Sequence, residues 1–223
     1  SILDAMKAMA TSSSCSRNNI GDIEDLKSKL CKRTGKRCTG ECSDSSSVRL
    51  VLRDAQWFKP TTEQELTNIL NSSTGKRVRF IMGNTGTGVF NDLNPANYDV
   101  LIDMHGMKDL YFLSLNPTAV FGCNLTLSVL IELFERVSTE SATSYMKECA
   151  IHLSRMANVP VRNAATWAGN IMLKHQFPDF PSDVFTMLVA MKVGIRFGFQ
   201  WDEISIDDFL SYDVTGKVIT YFV

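Results

Sequence analysis

Arg77-Val-Arg-Phe-Ile-Met-Gly-Asn-Thr-Gly-Thr-Gly-Val89 is the stretch whose reading decides the fold. An apolar run ends in a loop carrying Gly83, Gly86 and Gly88, with Asn84, Thr85 and Thr87 between them. Lacking a Cβ, glycine permits close backbone approach and positive φ, so such a loop can turn several N–H groups onto one anion. Pyrophosphates are held in this way. Read alone, the loop suits an ordinary β-turn connection equally well.

The flanking sequence narrows the choice. A Rossmann site needs G-x-G-x-x-G opening a helix, whereas the spacing here is G-x-x-G-x-G. Phe90-Asn-Asp-Leu-Asn-Pro95 has no helical periodicity, and Asp99-Val-Leu-Ile-Asp-Met104 reads as a strand. No Gly-Lys-Ser/Thr follows the loop, which excludes a Walker motif. Upstream, Thr61-Thr-Glu-Gln-Glu-Leu-Thr-Asn-Ile-Leu70 carries a threonine N-cap, an acidic first turn, and Leu66, Ile69 and Leu70 on one face. With extended Gln56–Pro60 before that helix, and strands Val78–Met82 and Val100–Met104 after it, a compact β-α-β unit is expected. Its crossover helix favours parallel strands.

The second half reads differently. Tyr111–Leu115 and Ala119–Gly122 look like paired short strands joined at Asn116-Pro117. Leu125–Val137 has apolar residues at helical spacing, and Ser144–Met156 is a second amphipathic helix. Val159-Pro-Val-Arg-Asn-Ala-Ala-Thr-Trp-Ala-Gly-Asn-Ile171 reads as a long turn-like stretch, followed by a helix over Ser182–Met191 and a strand over Val193–Phe199. No internal repeat stands out.

Gly83-Asn-Thr-Gly86, followed downstream by Arg162-Asn-x-x-Thr166-x-x-Gly-Asn170, resembles the flavin domain of the molybdenum hydroxylases, the xanthine dehydrogenase and aldehyde oxidase family. Phe121-Gly122 before Leu125-Thr-Leu-Ser, and Pro181-Ser-Asp183 opening a helix, are similar to its other flavin-contact segments. Lys174-His-Gln-Phe-Pro-Asp-Phe-Pro-Ser-Asp183 looks most like insect aldehyde oxidases. The resemblance runs from Val48 to Val223. It implies an α+β, two-lobed PCMH-type FAD-binding domain at residues 48–223: a small β-α-β lobe at 48–106 and a larger, mainly antiparallel lobe at 107–223.

The resemblance also implies the site. Gly83, Asn84, Thr85 and Gly86 would cradle the pyrophosphate of FAD, with Phe80, Ile81, Met82 and Thr87 flanking them. Phe121 falls in an aromatic flavin-contact position, and Thr166, Trp167, Ala168, Gly169 and Asn170 in the segment lying against the cofactor. Ala168 stands where the family has the first glycine of Gly-Gly-Asn. Asp183 matches a cofactor-contacting aspartate, while helix capping explains it as well. Arg162 reads as a structural donor. In such enzymes the flavin does the redox chemistry, so no catalytic side chain is assigned. The implied function is a FAD module passing electrons from iron–sulfur clusters to dioxygen or NAD; the alternative is a nucleotide-binding or structural module without redox activity. The full-length enzymes also carry two [2Fe-2S] clusters and a molybdenum cofactor on domains of the same polypeptide, and usually form homodimers. The family pattern continues into a C-terminal lobe with flavin-ring contacts, so part of the isoalloxazine pocket is expected beyond Val223.

Residues 1–47 differ from the rest. Ser12–Ser14 and Ser43–Ser47 bracket a polar, charged segment, which reads as a linker. Ile2–Lys7 resembles the last helix of the family's second cluster domain, without its cysteines. The start at Ser1 suggests a fragment or processed chain. Cys31-x6-Cys38-x3-Cys42 matches neither ferredoxin nor zinc spacing, so free thiols are expected there. His105, His152 and His175 show no metal-ligand spacing and no paired acid, and no metal site is assigned. A net charge of −1 argues against nucleic acid, and no apolar run reaches membrane-spanning length. The expectation is a soluble, cytoplasmic protein.

Overall fold

The computed structural model describes residues 47–115, 118–138, 144–199 and 202–223. All of them belong to one compact unit, Ser45–Val223. Readings of the linker, of Ile2–Lys7, of Cys31, Cys38 and Cys42, and of the Asn116-Pro117 junction lie outside the described residues.

The first sheet holds β1 (Val48–Val51), β2 (Gln56–Lys59), β3 (Val78–Ile81) and β4 (Val100–Asp103) in the order β1-β2-β4-β3. Strands β2 and β3 both run parallel to β4, and β1 pairs antiparallel with β2. The apolar run Val100-Leu-Ile102 is buried in the central strand, as a strand covered on both faces requires. Helix α1 (Glu63–Ser72) makes the β2-to-β3 crossover. Its cap is reciprocal: Thr62 Oγ1 accepts from Glu65 N–H, while the Glu65 carboxylate accepts from Thr61 N–H at 2.8 Å. Leu66 then faces the core. No α-helix follows the glycine loop, only 3-10 turns at Asn91–Leu93 and Pro95–Asn97. The mixed sheet and the absence of that helix set this architecture apart from a Rossmann fold.

The second sheet is antiparallel throughout: β5 (Leu113–Ser114), β6 (Val120–Gly122), β7 (Gly194–Phe197), β8 (Asp202–Ser205) and β9 (Ile219–Phe222), ordered β5-β6-β9-β7-β8. Helices α2 (Leu127–Val137), α3 (Tyr145–Ser154), α4 (Val159–Ala164), α5 (Trp167–Gln176) and α6 (Asp183–Met191) accompany it. Phe121 stacks on Phe222 with ring centres 4.4 Å apart, and Trp167 meets Phe222 edge-on at 4.8 Å. One continuous core joins Leu66, Val100 and Ile102 to these aromatics and to Leu130, Phe134 and Leu188.

The reading of Val159–Ile171 as turn-like is corrected. It forms α4 and the start of α5, separated only by extended Ala165 and Thr166. The Asn, Pro and Thr that read as turn formers are helix starters instead. Asn158 caps α4 by accepting from Val161 N–H at 2.9 Å, Pro160 sits in the first turn, and Thr166 caps α5 through Gly169 N–H.

Candidate functional site

Two segments some eighty residues apart in sequence meet at one cavity. Strand β3 and the glycine loop line one wall, and the first turns of α5 line the other; the volume is about 260 Å³. Gly83 makes the meeting possible. A Cβ built there would lie 1.9 Å from the carbonyl oxygen of Ala164 and 2.9 Å from Ala165 N, so the two backbones touch where glycine stands. The loop then passes over α5, where a Cβ on Gly86 would come within 3.2 Å of the Leu173 and Leu93 side-chain ends.

The glycines do not supply the loop's positive φ. That conformation belongs to Asn84, at φ 53°, and to none of Gly83, Gly86 and Gly88. Asparagine tolerates this region better than most residues, because its short polar side chain bonds locally. Here Asn84 Oδ1 accepts from Arg79 Nη2 at 2.8 Å and from Thr87 Oγ1, and Arg79 Nη2 also reaches Thr87 Oγ1 at 2.7 Å. Within the loop, the N–H groups of Thr87, Val89 and Phe90 are satisfied by Asn84 and Gly86 carbonyls. Those of Asn84, Thr85 and Gly86 have no backbone acceptor among the described residues. An αL residue between right-handed or extended neighbours gathers successive N–H groups on one side, an anion-binding concavity.

Helix α5 adds to this. Its N-terminal N–H groups lack intrahelical acceptors and carry the positive end of the helix dipole. Thr166 satisfies Gly169 N–H at 3.1 Å, the antiparallel bridge between Thr126 and Thr166 engages the chain at Trp167, and the N–H group of Ala168 is left in the first turn without a backbone acceptor among the described residues. Asn170 Oδ1 accepts from Ser182 Oγ, and Ser182 caps α6 through Phe185 N–H. One hydrogen-bonded chain thus fixes the starts of α5 and α6.

Phe80, Ile81, Met82, Gly83, Asn84, Thr85, Gly86, Thr166, Ala168, Gly169 and Asn170 all line the cavity. Four expected residues do not. Thr87 serves the loop's own hydrogen bonds. Phe121 is sealed in the core, stacked on Phe222. Trp167 is wholly buried, its Nε1 donating to Gly122 O at 2.7 Å. Asp183 lies at the start of α6 with its side chain about half exposed, 3.3 Å from His152 Nε2. That contact, and His105 Nδ1 at 2.6 Å from Asp103 Oδ1, correct the reading of the histidines as lacking acid partners. Sequence spacing missed both, because one pair is two residues apart in a 3-10 turn and the other crosses between helices.

Residues 53–215 match the family described as the FAD binding domain in molybdopterin dehydrogenase. The chain belongs to that family. This FAD-binding domain is 30% identical over 152 residues to an indole-3-acetaldehyde oxidase of Arabidopsis thaliana, covering 68% of the chain and 11% of the relative. It is 29% identical over 172 residues to an abscisic-aldehyde oxidase of the same plant, covering 75% and 12%. The chain therefore spans about a tenth of the length of these relatives. In fold it is similar to the carbon monoxide dehydrogenase of Hydrogenophaga pseudoflava, with TM-score 0.61 at 18% identity over 78% of this chain and 59% of that one. A quinoline 2-oxidoreductase of Pseudomonas putida 86 gives TM-score 0.58 at 17% identity, with the same coverage.

FAD is the cofactor of this family, and the cavity's chemistry suits its pyrophosphate. Free N–H groups come from loop and helix alike, and among the described residues no acidic side chain lines the cavity while cationic Arg79 and Lys217 do. The volume falls below the about 300–1,000 Å³ of typical small-molecule sites, room for part of a dinucleotide. Several lining residues escaped the sequence reading: Arg79, Tyr98, Asn124, Leu173, and Lys217 on the turn before β9. Buried Asn124 ties Met104 O and Met107 O to the second sheet. Its neighbour Cys123 is sealed by burial, which pushes the thiol up to about 12. Among the described residues no cluster could hold a metal ion, and no helix is long and apolar enough to cross a membrane.

Proposed function

We propose that this chain is the FAD-binding, electron-transfer module of an aldehyde-oxidase-like molybdenum hydroxylase. The observation that carries the reading is the convergence of the Gly83–Gly86 loop and the α5 N-terminus on one cavity rich in free N–H groups. Residues 48–106 and 107–223 are its two lobes, and residues 1–47 the tail of an iron–sulfur domain with its linker.

When bound, FAD supplies the redox chemistry, taking electrons from iron–sulfur clusters and delivering them to dioxygen, or to NAD in a dehydrogenase form. This chain's residues bind and orient. Backbone N–H groups of Asn84, Thr85 and Gly86, with those at the start of α5, hold the pyrophosphate. Thr85 adds its hydroxyl, and Phe80, Ile81 and Met82 set the strand against the cofactor. Ala168, Gly169 and Asn170 form the facing wall, and Asp183 would meet the cofactor outside the cavity. No side chain here acts as acid, base or nucleophile. Aldehydes as substrates, a molybdenum domain and iron–sulfur domains on the same polypeptide, homodimer formation and a cytoplasmic location belong to the same proposal. The named aldehyde oxidases among the relatives support it.

The test is direct. The 223-residue chain is mixed with FAD, desalted, and its visible spectrum and flavin fluorescence recorded. Bound flavin, with shifted absorption bands and altered fluorescence, is the expected result. A colourless protein after reconstitution refutes the reading. FAD retained but inert to chemical reduction favours the module without redox activity.

A further inference from the structure

Arg79 occupies an unusual position for a cation on a strand. Its Nη2 ties Asn84 to Thr87, and its guanidinium lies 5.5 Å from the centre of the Tyr98 ring. Its Nη1 is buried with no hydrogen-bond partner among the described residues. Burial also pushes the guanidinium below its ordinary value, although an arginine remains charged at neutral pH. A buried charged donor left unpaired is costly, and native structures rarely keep one without a reason. The same side chain lines the cavity that the glycine loop and α5 share. Pyrophosphate offers the acceptor oxygens and negative charge that a forked guanidinium pairs with best.

Building on the FAD reading above, we infer that Arg79 has two linked tasks: it braces the loop through Asn84 and Thr87, and its uncommitted Nη1 pairs with the cofactor's pyrophosphate. The tasks reinforce one another. The bond to Asn84 helps hold the αL turn that gathers the loop's N–H groups. Pairing with an anion would in turn satisfy the donor that the protein leaves open. Tyr98 packs over the guanidinium on another side, which limits its freedom to swing into solvent.

The test compares the parent chain with Arg79→Met and Arg79→Lys by FAD titration at low and high salt, with thermal unfolding of each apo-protein alongside. Arg79→Met should weaken FAD binding about ten- to a hundredfold, as expected for loss of a charge-assisted contact, and should flatten its salt dependence. Arg79→Lys keeps the charge without the fork, so it should fall between the two and stay salt-sensitive. Methionine binding FAD within about twofold of the parent overturns the inference. So does a lysine variant no tighter than methionine, because charge would then be irrelevant. Should Arg79→Met fail to fold, Arg79→Lys decides alone: weaker but salt-sensitive binding supports the pairing, and parental affinity or complete loss overturns it. A parent chain that binds no FAD is a different result, which defeats the FAD reading and this inference with it.

Discussion

Replacing Gly83 with alanine tests the structure where it is least able to yield. The new Cβ would lie 1.9 Å from Ala164 O, 2.4 Å from Ala164 C and 2.9 Å from Ala165 N. Ordinary contact begins at 3.4 Å, so the backbones must part by about 1.5 Å at the closest atom. No rotamer change relieves this, because every atom in the way is main chain. Separating them also strains the bond from Leu127 N–H to Ala165 O, 2.9 Å, which ties α2 to the α4–α5 junction. Overpacking costs about 1–3 kcal/mol where side chains can adjust, and a main-chain clash belongs at or above the top of that range. A loss of about 3 kcal/mol lowers the unfolding midpoint of a domain this size by about 6–12 °C. Thermal unfolding followed by circular dichroism measures it, and FAD titration of the folded variant should show binding lost in parallel. A midpoint within about 2 °C of the parent would refute the close approach.

Other substitutions separate the remaining effects. Gly86→Ala meets only the ends of Leu173 and Leu93 at 3.2 Å and sits at no positive φ, so its unfolding midpoint should fall by less than half as much as that of Gly83→Ala. Asn84→Val places a β-branched residue at φ 53° and removes the acceptor for Arg79 and Thr87; a loss of about 1–3 kcal/mol is expected by urea unfolding, with weaker FAD binding. The Thr61 backbone N–H holds the Glu65 carboxyl below its ordinary 4.5. Because the folded value is the lower one, its stabilising contribution is present above 4.5 and lost as pH falls through the depressed folded value. Urea midpoints of Glu65→Gln should therefore depend less on pH than the parent's in the acid range. Cys123, with its thiol pushed up to about 12, should resist alkylation at neutral pH longer than half-buried Cys149, as peptide mass spectrometry would show.

What sequence could and could not disclose follows from how far apart the determinants lie. The β2-α1-β3-β4 unit is legible because its signals are local: the Thr61–Glu65 cap, Leu66 on one helix face, and apolar runs at Val78 and Val100. The expected bounds of these elements fall within two residues of the observed ones. Strand β9 carries a local signal too, the β-branched and aromatic run Val218-Ile-Thr-Tyr-Phe-Val223 after the turn at Thr215-Gly216, yet its place in the sheet is not local. Its partners β6 and β7 lie upstream, and its Thr220 is buried and bonded to Arg196 O and Gly198 O. Strands β1 and β8 are edge strands with largely exposed residues, so neither shows clean alternation. Caps and turns share the same residue types, which is why Asn158, Pro160 and Thr166 read as loop while starting helices. The aromatics mislead for a related reason: Phe121 and Trp167 match cofactor-contact positions in type, yet depth in the core decides what they touch.

The glycine loop shows how one motif can be recognised correctly for a reason that needs amending. Glycines suggest positive φ and a cradle made by the loop itself, yet the left-handed residue is Asn84, and Gly83 is required by the chain packed behind it. The loop has its shape because α4 ends at Ala164 and because Arg79 and Thr87 hold the Asn84 side chain. The cavity therefore forms only when both segments are packed, and folding preorganises the N–H groups before any anion arrives. Two classes of variant should then behave differently. Gly83→Ala disturbs the packing that builds the cavity and should lower stability and binding together. Arg79→Lys leaves that packing in place and should lower binding with little change in unfolding temperature. Equal ratios of lost stability to lost affinity in both would mean that the loop and its anion site are a single cooperative unit, with no separable contribution from the guanidinium.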